Sequence, residues 1–275
     1  MSVPIDIRKE SPCDYGQLYR CADCSFGMTL PRPTPAEIAT FYDLTSYYTH
    51  GECHMAERGA RTLFDRLRLY LAWKLDFGET LTAGMVHQIL GGRPADVCDI
   101  GCGAGDFPLE LKAIGHRIEG IEIDSVAVDL GRKRGGSPST PGSVETLPRA
   151  VVGRQFDLVI MRHVLEHLLD PIEAVRTTKS LVRPGGLFIC VVPNNAAQGL
   201  ASAGETWEPL DVPRHLNFFI PENLRTICQR AGLTPPHAPG GSWSGRRSQR
   251  NRRSTTRLAS SPKCPESRCP SSGPP

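Results

Sequence analysis

From Ala95 onward, short apolar runs alternate with segments whose apolar residues recur every three or four positions. That alternation of strand and helix signals is what a parallel sheet covered by helices requires. Val97–Ile100 reads as a strand running into Gly101-Cys102-Gly103-Ala104-Gly105, and Phe107, Leu111 and Ile114 give the next helix an apolar face. Ile118–Ile123 is a second strand, Ser125–Arg134 a second helix and Phe156–Met161 a further strand. Asp170-Pro171-Ile172-Glu173 is a capped helix start, and that helix should end before Pro184-Gly185-Gly186. Leu187–Val192 is then the next strand, closed by Pro193. Pro221–Ala231 is a last helix, with Leu224, Ile227 and Ala231 on one side and Gly232 as its stop. Between Arg134 and Val144 the architecture calls for a third strand, yet little there has strand character. That edge strand is either very short or damaged.

Upstream, Thr34-Pro35-Ala36-Glu37 combines a capping threonine, a proline at the first helical position and a glutamate three residues after the cap. The helix should run to about Leu44. Leu63, Leu67, Leu71 and Leu75 mark a longer amphipathic helix, and another is expected around Leu81–Leu90. The pattern divides the chain into a cysteine-containing segment (1–50), a helical lid or connector (51–94), a main α/β domain (95–234) and a tail (235–275).

Charge sharpens that last boundary. The formal net charge of +3 is the sum of an acidic body and a basic tail: 235–275 holds eight basic residues and one acid, leaving 24 basic against 28 acidic before it. The tail also carries eight prolines and nine serines, a composition that cannot bury enough surface to offset its ordering entropy, so disorder is expected there. Arg246-Arg247 and Arg252-Arg253 are read as part of a solvated end, and no nucleic-acid partner is expected. Met1–Cys13 has no apolar core of a leader peptide, Leu187–Val192 is too short to cross a bilayer, and the ten cysteines are scattered. The expectation is a cytoplasmic chain with reduced thiols and no membrane partner.

The glycines at 101, 103 and 105 stand where a strand turns into a helix, and Glu122 closes the next strand 21 residues after the first of them. Glycines let the backbone approach a ligand, a helix start offers free N–H groups, and an acid on the second strand can accept from both ribose hydroxyls. A nucleoside ligand is implied. The dinucleotide fingerprint needs a third glycine at position 106, where this chain has Asp106, which disfavours a nicotinamide-dependent oxidoreductase.

Asp99-Ile-Gly-Cys-Gly-Ala-Gly105 resembles motif I of the class I methyltransferases that use S-adenosylmethionine. The resemblance runs from Val97 to Ala231 through Gly120-Ile-Glu122-Ile-Asp124, Phe156-Asp-Leu-Val-Ile160, His163-Val-Leu-Glu-His167, Leu181-Val-Arg-Pro-Gly-Gly186, Val192-Pro-Asn194 and Pro213-Arg-His215-Leu-Asn-Phe218. The later phrases, with the N-terminal Cys24-Ser-Phe-Gly-Met-Thr-Leu-Pro-Arg-Pro33, are similar to a branch that includes ubiquinone-biosynthesis O-methyltransferases and sugar C-methyltransferases. The resemblance implies a Rossmann-like, mostly parallel sheet with helices on both faces. It also implies methyl transfer to oxygen or carbon of a small-molecule or sugar-type acceptor. Asp99 and the backbone at Gly101, Cys102, Gly103 and Gly105 would hold the methionine portion of S-adenosylmethionine, Glu122 the ribose, and residues near Val144 and Glu145 the adenine. Arg162 and His163 would border the methyl-donor end. The family fold should continue past Gly232 with a two-stranded hairpin, for which this chain has no strand-like sequence, so the hairpin is expected to be missing. A shifted reading frame or truncated copy would give that pattern, and a copy that binds cofactor without turnover is the alternative reading.

Methyl transfer needs alignment, exclusion of water and, for many acceptors, a base. His163, Glu166 and His167 stand at i, i+3 and i+4, which on a helical turn shares one face, and His215 should reach the same edge of the sheet. These four are the candidate catalytic residues. They could serve as general base or as ligands of a divalent metal. The resembled metal-binding version has a glutamate where this chain has His163, so the base is preferred and no metal is assigned. Cys21-Ala-Asp-Cys24 is spaced like one zinc knuckle with Cys13 as a lone third, one ligand short of a structural zinc site, and zinc is not expected. Tyr47, Tyr48 and His50 could line the acceptor pocket.

Overall fold

The computed structural model describes residues 1–42 except 2, 4, 7, 8 and 10, together with residues 81–135, 139–197, 200, 204 and 207–234. The expected Leu63–Leu75 helix, the pocket residues Tyr47, Tyr48 and His50, the site of the terminal hairpin and the basic tail lie outside the described residues.

The N-terminal segment contributes β1 (Ile5–Asp6), β2 (Ser11–Pro12), β3 (Gln17–Arg20), β4 (Gly27–Leu30) and α1 (Pro35–Phe41). The expected capping box is present: Thr34 N–H donates to Glu37 Oε2 at 2.7 Å and Glu37 N–H to Thr34 Oγ1 at 3.3 Å. The helix ends at Phe41, short of Leu44. A second helix, α2 (Ala83–Ile89), is capped by Thr82. The main domain then runs β5 (Asp96–Ile100), α3 (Asp106–Ala113), β6 (Arg117–Glu122), α4 (Ser125–Gly135), β7 (Ser139–Pro141), β8 (Phe156–Arg162), α5 (Pro171–Leu181), β9 (Val182–Val191), β10 (Asn217–Phe218) and α6 (Pro221–Arg230).

Five of these strands form a parallel sheet in the order β7-β6-β5-β8-β9. The third strand that the sequence left in doubt is β7, three residues long at the sheet edge. One boundary differs from expectation. Pro184-Gly185-Gly186 does not precede the last strand but lies within it: Val182 already pairs with Phe156, the register shifts, and the ladder resumes at Leu187 opposite Leu158. The punctuating residues mark a bulge rather than a stop.

Both faces of the sheet are covered, which is why its central strands read as continuous apolar runs. Leu158 and Ile160 of β8 pack with Val97, Phe107, Leu111 and Val86 on the α2/α3 side. Their neighbours Val159 and Met161 pack with Ile100, Val175, Leu181 and Ile227 on the α5/α6 side. The chain moves outward from β5 through β6 to β7, then crosses back to place β8 on the other flank of β5. Strand order therefore reverses between β5 and β8, and the cleft beyond their carboxyl ends is where sheets of this kind bind ligands.

A second sheet, β10-β4-β3, is antiparallel and joins the N-terminal segment to residues 217–218: Met28 pairs with Asn217 and Gly27 with Phe218. Gly27 is required by that approach, since a Cβ there would lie 2.8 Å from the Phe218 Cβ. The N-terminal segment is thus sewn onto the strand that follows the Pro213-Arg-His215 phrase.

Candidate functional site

The cofactor end is built from three strand termini. Asp99 lies near the end of β5, Glu122 ends β6 and Arg162 ends β8. Gly101 has φ of +74°, and a Cβ on it would fall 2.2 Å from Val164 Cγ2, so only glycine fits. The turn is pinned to β6 by Gly101 N–H and Cys102 N–H, which donate to Ile121 O at 2.7 and 3.2 Å. Cys102 is buried and burial pushes its thiol up, so it is an inert part of the turn. Gly105 N-caps α3 without a side-chain bond. Glu122 accepts from Gly103 N–H at 2.7 Å and Asp124 N–H at 2.9 Å. Burial raises its carboxyl above the ordinary range, with those two N–H groups opposing.

Asp99 is 1% exposed and neither oxygen accepts a hydrogen bond. Burial pushes its carboxyl up to about 7, against the lowering effect of Arg162. Arg162 Nη2 is 3.7 Å from Asp99 Oδ2, and its guanidinium lies over the Phe107 ring with Cζ 3.7 Å from the centroid. Val144, expected near the adenine, is buried, whereas Glu145 is exposed. The residues at this end fit S-adenosylmethionine. A buried carboxylate lacking donors suits an ammonium group and would repel a pyrophosphate, and an acid closes the second strand for the ribose.

At the neighbouring end, Leu165–His167 forms a single 3-10 turn. Glu166 and His167 belong to it, but His163 precedes it with a φ of +54° and its side chain is 58% exposed. The one-face arrangement expected for all three is therefore corrected. His163 reaches back only as far as a 3.4 Å contact between Nδ1 and Glu166 Oε1. His215, by contrast, does arrive: its ring centroid is 4.7 Å from that of His167, and Nε2 is 4.0 Å from Glu166 Oε1.

Hydrogen bonds decide the protonation of these rings. His167 Nδ1 is 3.0 Å from Arg214 O, and a carbonyl can only accept, so Nδ1 carries the hydrogen and Nε2 the lone pair. The Tyr42 hydroxyl lies 3.0 Å from the same Nδ1. His215 Nδ1 donates to Pro209 O at 2.8 Å, so its Nε2 also presents a lone pair. Burial, then His167, lowers His215 to about 4, which keeps it neutral near pH 7. Glu166 is 1% exposed with both oxygens unbonded. Burial acts to raise its carboxyl, but the surrounding imidazoles, His163 first, outweigh that and hold it low. His167 Nε2 is likewise buried without a partner. Among the described residues, Glu166, His167 and His215 form the one group of three or more potential metal ligands, with ligand atoms within 4.8 Å of one another. The cysteines at 13, 21 and 24 are not joined in disulfides, and none belongs to such a group among the described residues. Cys21-Ala-Asp-Cys24 instead shapes the turn between β3 and β4, where Cys21 N–H donates to Phe26 O at 2.8 Å.

Several residues that position this end escaped sequence reasoning. Arg214, fully buried, donates to Asp6 at 2.6 and 2.9 Å and to Asp211 at 2.9 Å. Arg32 donates to Leu216 O at 2.7 Å and Leu169 O at 2.8 Å, and Asn217 Nδ2 to Leu168 O at 2.6 Å. The one available signal was a charged residue, Arg214, directly before His215, the one member of its phrase that was read as a site residue.

A family model described as a methyltransferase domain matches residues 62–237. A ubiquinone biosynthesis O-methyltransferase from Ruegeria pomeroyi is 28% identical over 221 residues, 75% of this chain and 85% of that protein. One of the same name from Cereibacter sphaeroides is 25% identical, covering 79% and 92%. Among solved structures, the 1,6-didemethyltoxoflavin-N1-methyltransferase of Burkholderia thailandensis is 18% identical, covers 80% and 90%, and has a TM-score of 0.46. No helix among the described residues is long and apolar enough to cross a membrane. With the strand order, the glycine turn and the second-strand acid in place, the chain belongs to the methyltransferase domain family, and it is a class I S-adenosylmethionine-dependent methyltransferase.

Proposed function

We propose that this enzyme methylates a hydroxyl oxygen of a small-molecule acceptor, with His167 Nε2 as the general base. The observation that carries this reading is a buried cluster made almost entirely of hydrogen-bond acceptors. The Glu166 oxygens and His167 Nε2 make no hydrogen bond, and the His215 Nε2 lone pair lies 4.0 Å from Glu166. Such a cluster calls for donors, and hydroxyl groups are donors. The relatives are named for O-methylation in ubiquinone biosynthesis, which favours oxygen over carbon.

S-adenosylmethionine supplies a methyl carbon already activated by its sulfonium sulfur. What remains for the chain is alignment, dryness and proton removal. His167 takes the hydroxyl proton at Nε2, and its Nδ1–H stays fixed on Arg214 O. The ionised Glu166 stabilises the imidazolium so formed, as a buried carboxylate beside a catalytic histidine does elsewhere. His215, neutral, accepts from a second acceptor hydroxyl and orients it. Exposed His163, beside Glu166, lies on the route by which the proton returns to water.

The test pairs methyl transfer with binding. Wild-type protein is offered S-adenosylmethionine with catechols such as protocatechuate and with nucleotide-linked sugars, and products are read by mass spectrometry. His167→Ala should keep affinity for S-adenosylhomocysteine within about twofold and lower turnover by roughly 10²–10⁴-fold. Undiminished turnover in that variant defeats the base assignment. Cofactor binding with no product from any acceptor favours the copy that binds without turnover.

A second reading rests on the 4.8 Å cluster, whose one carboxylate and two imidazoles suit a divalent cation. It requires that chelation abolish turnover and that added metal restore it.

A further inference from the structure

Cys21-Ala-Asp-Cys24 lies in the turn that joins β3 to β4, and the backbone there brings its two sulfurs together. Ser25 N–H donates to Cys21 O at 2.9 Å and Cys21 N–H to Phe26 O at 2.8 Å, which closes one helix-like turn ended by Ser25 at φ +57°. Residues three apart on such a turn stand about 5–6 Å apart at Cβ, close to the separation that a disulfide spans. The Cys21 sulfur accepts from the backbone N–H groups of Cys24 and Asp23 and from the Cys24 thiol. Those bonds, the Cys24 N–H first, hold the Cys21 thiol below its ordinary range against burial and the Asp23 charge. Burial instead raises the thiols of Cys13, Cys98, Cys102, Cys190 and Cys228. Cys21 and Cys24 are both partly exposed, so a small reagent can approach them in the folded chain. The third sulfur that a zinc knuckle would use is elsewhere. Cys13 packs against Val3, Leu210, Val212 and Phe218, and its charged neighbours are Asp6, Arg214 and Asp14.

We propose that Cys21 and Cys24 are a redox-active dithiol that exchanges with low-molecular-weight disulfides, Cys21 as the attacking sulfur and Cys24 as the resolving one. The Cys21 thiolate attacks one sulfur of the small disulfide, forming a mixed disulfide and expelling one thiolate. Cys24 then loses its proton to solvent and attacks the Cys21 sulfur, which closes the protein S–S bond and expels the second thiolate. The dithiol has given up two electrons and two protons, and the small disulfide has taken them up as two thiols. The turn leads directly into β4, whose Gly27 and Met28 pair with β10, and Phe26 packs on Phe219 with ring centroids 5.5 Å apart. The oxidised pair is therefore a covalent clasp at the head of the strand that joins the N-terminal segment to the main domain. The proposal is independent of the acceptor and of the base assignment.

The full chain is equilibrated near neutral pH with reduced and oxidised glutathione in varied ratio, quenched with acid and alkylated. Peptide mass mapping then reads positions 21 and 24 apart from the other cysteines. Wild type should lose both thiols together, as a Cys21–Cys24 disulfide that dithiothreitol reverses. Cys24→Ser should instead accumulate a glutathione adduct on Cys21. In Cys21→Ser, Cys24 should take up glutathione at least about threefold more slowly than Cys21 does in Cys24→Ser, as expected of the thiol that resolves rather than attacks. S-adenosylhomocysteine affinity within about twofold of wild type shows that both serine variants are folded. The wild-type arm needs no variant: thiols at 21 and 24 that stay reduced in about a tenfold excess of oxidised glutathione overturn the proposal. So do equal rates in the two serine variants, or a disulfide that recruits Cys13. Zinc that co-purifies with the chain and shields both thiols until it is chelated overturns it as well.

Discussion

The two ends of the site are assembled in opposite ways. The cofactor end is local: the glycine turn, Asp99 and Glu122 fall within 24 residues, and adjacent strands β5 and β6 carry them in register. Only Arg162 comes from farther along the chain. The acceptor end is a meeting of segments that are remote in sequence. His167 sits on the turn after β8, His215 on the approach to β10, and Tyr42 just after α1. Chain connectivity holds the first end in place. The second needs fasteners, and the structure supplies them as buried polar contacts between the N-terminal segment and residues 165–217. The comparison teaches that the N-terminal segment is fastened to the elements that carry His167 and His215. Its strand β4 pairs with β10, Phe26 packs on Phe219, and Arg32 holds the backbone carbonyls of Leu169 and Leu216.

The strongest fastener is also where the comparison breaks most readily. Arg214 is fully buried between Asp6 and Asp211, and their hydrogen bonds and charges raise its pKa despite the cost of burial. Removing one partner of such a set leaves buried charge uncompensated, which costs about 3–5 kcal/mol. Arg214→Ala should lower the melting temperature by several degrees. The damage should be uneven: proteolysis should open the N-terminal segment while S-adenosylhomocysteine still binds. A variant that loses cofactor affinity in step with its N-terminal protection would show that the two ends are one cooperative unit.

The same asymmetry explains what the sequence disclosed. Strands β5, β6 and β8 and helices α3 to α6 were legible because burial on both sheet faces leaves a continuous apolar run, and helix starts carry their own caps. The glycine turn was legible because its ligand dictates residue types at fixed spacing. His167 and His215 could be named as candidates, since histidines near the carboxyl ends of strands have few other reasons to be there. Their partners could not. Nothing in the text around Tyr42 or Asp6 announces a partner more than 100 residues away, because a single side-chain contact imposes no period on its neighbours. His163 was misplaced for a related reason. Its i, i+3 spacing to Glu166 presumed a helical turn, but the chain leaves β8 with a positive φ before the turn begins.

The two ends should also answer pH with opposite signs. Asp99 is raised in the folded protein from 3.8 to about 7, so the fold binds that proton more tightly than the unfolded chain does. Its contribution is present below the unfolded value and is lost as pH rises through 7. His215 is lowered from 6.5 to about 4, so its contribution is present above 6.5 and is lost as pH falls through 4. Each amounts to about 3–4 kcal/mol, and between pH 4 and 7 they offset one another. The wild type should therefore show a flatter stability profile across that window than either variant. Asp99→Asn should become more stable with rising pH, and His215→Asn less. Denaturant melts at three pH values decide it, and parallel profiles for all three proteins would remove the opposition.

The finest distinction concerns Tyr42, whose hydroxyl shares His167 Nδ1 with Arg214 O. Tyr42→Phe deletes one neutral hydrogen bond, worth about 1 kcal/mol, and leaves the carbonyl contact intact. The melting temperature should fall by a few degrees at most, and S-adenosylhomocysteine affinity should not change. If the hydroxyl accepts from Nδ1–H, as the carbonyl does, then His167 keeps its tautomer in the variant, and ¹⁵N spectra of histidine-labelled protein should show Nδ1 still protonated. If instead the hydroxyl donates to Nδ1, the wild type carries its hydrogen on Nε2 and the variant switches. A switch would deprive His167 of its free lone pair in the wild type and move the base to His215, whose own tautomer is held by Pro209 O independently of the N-terminal segment.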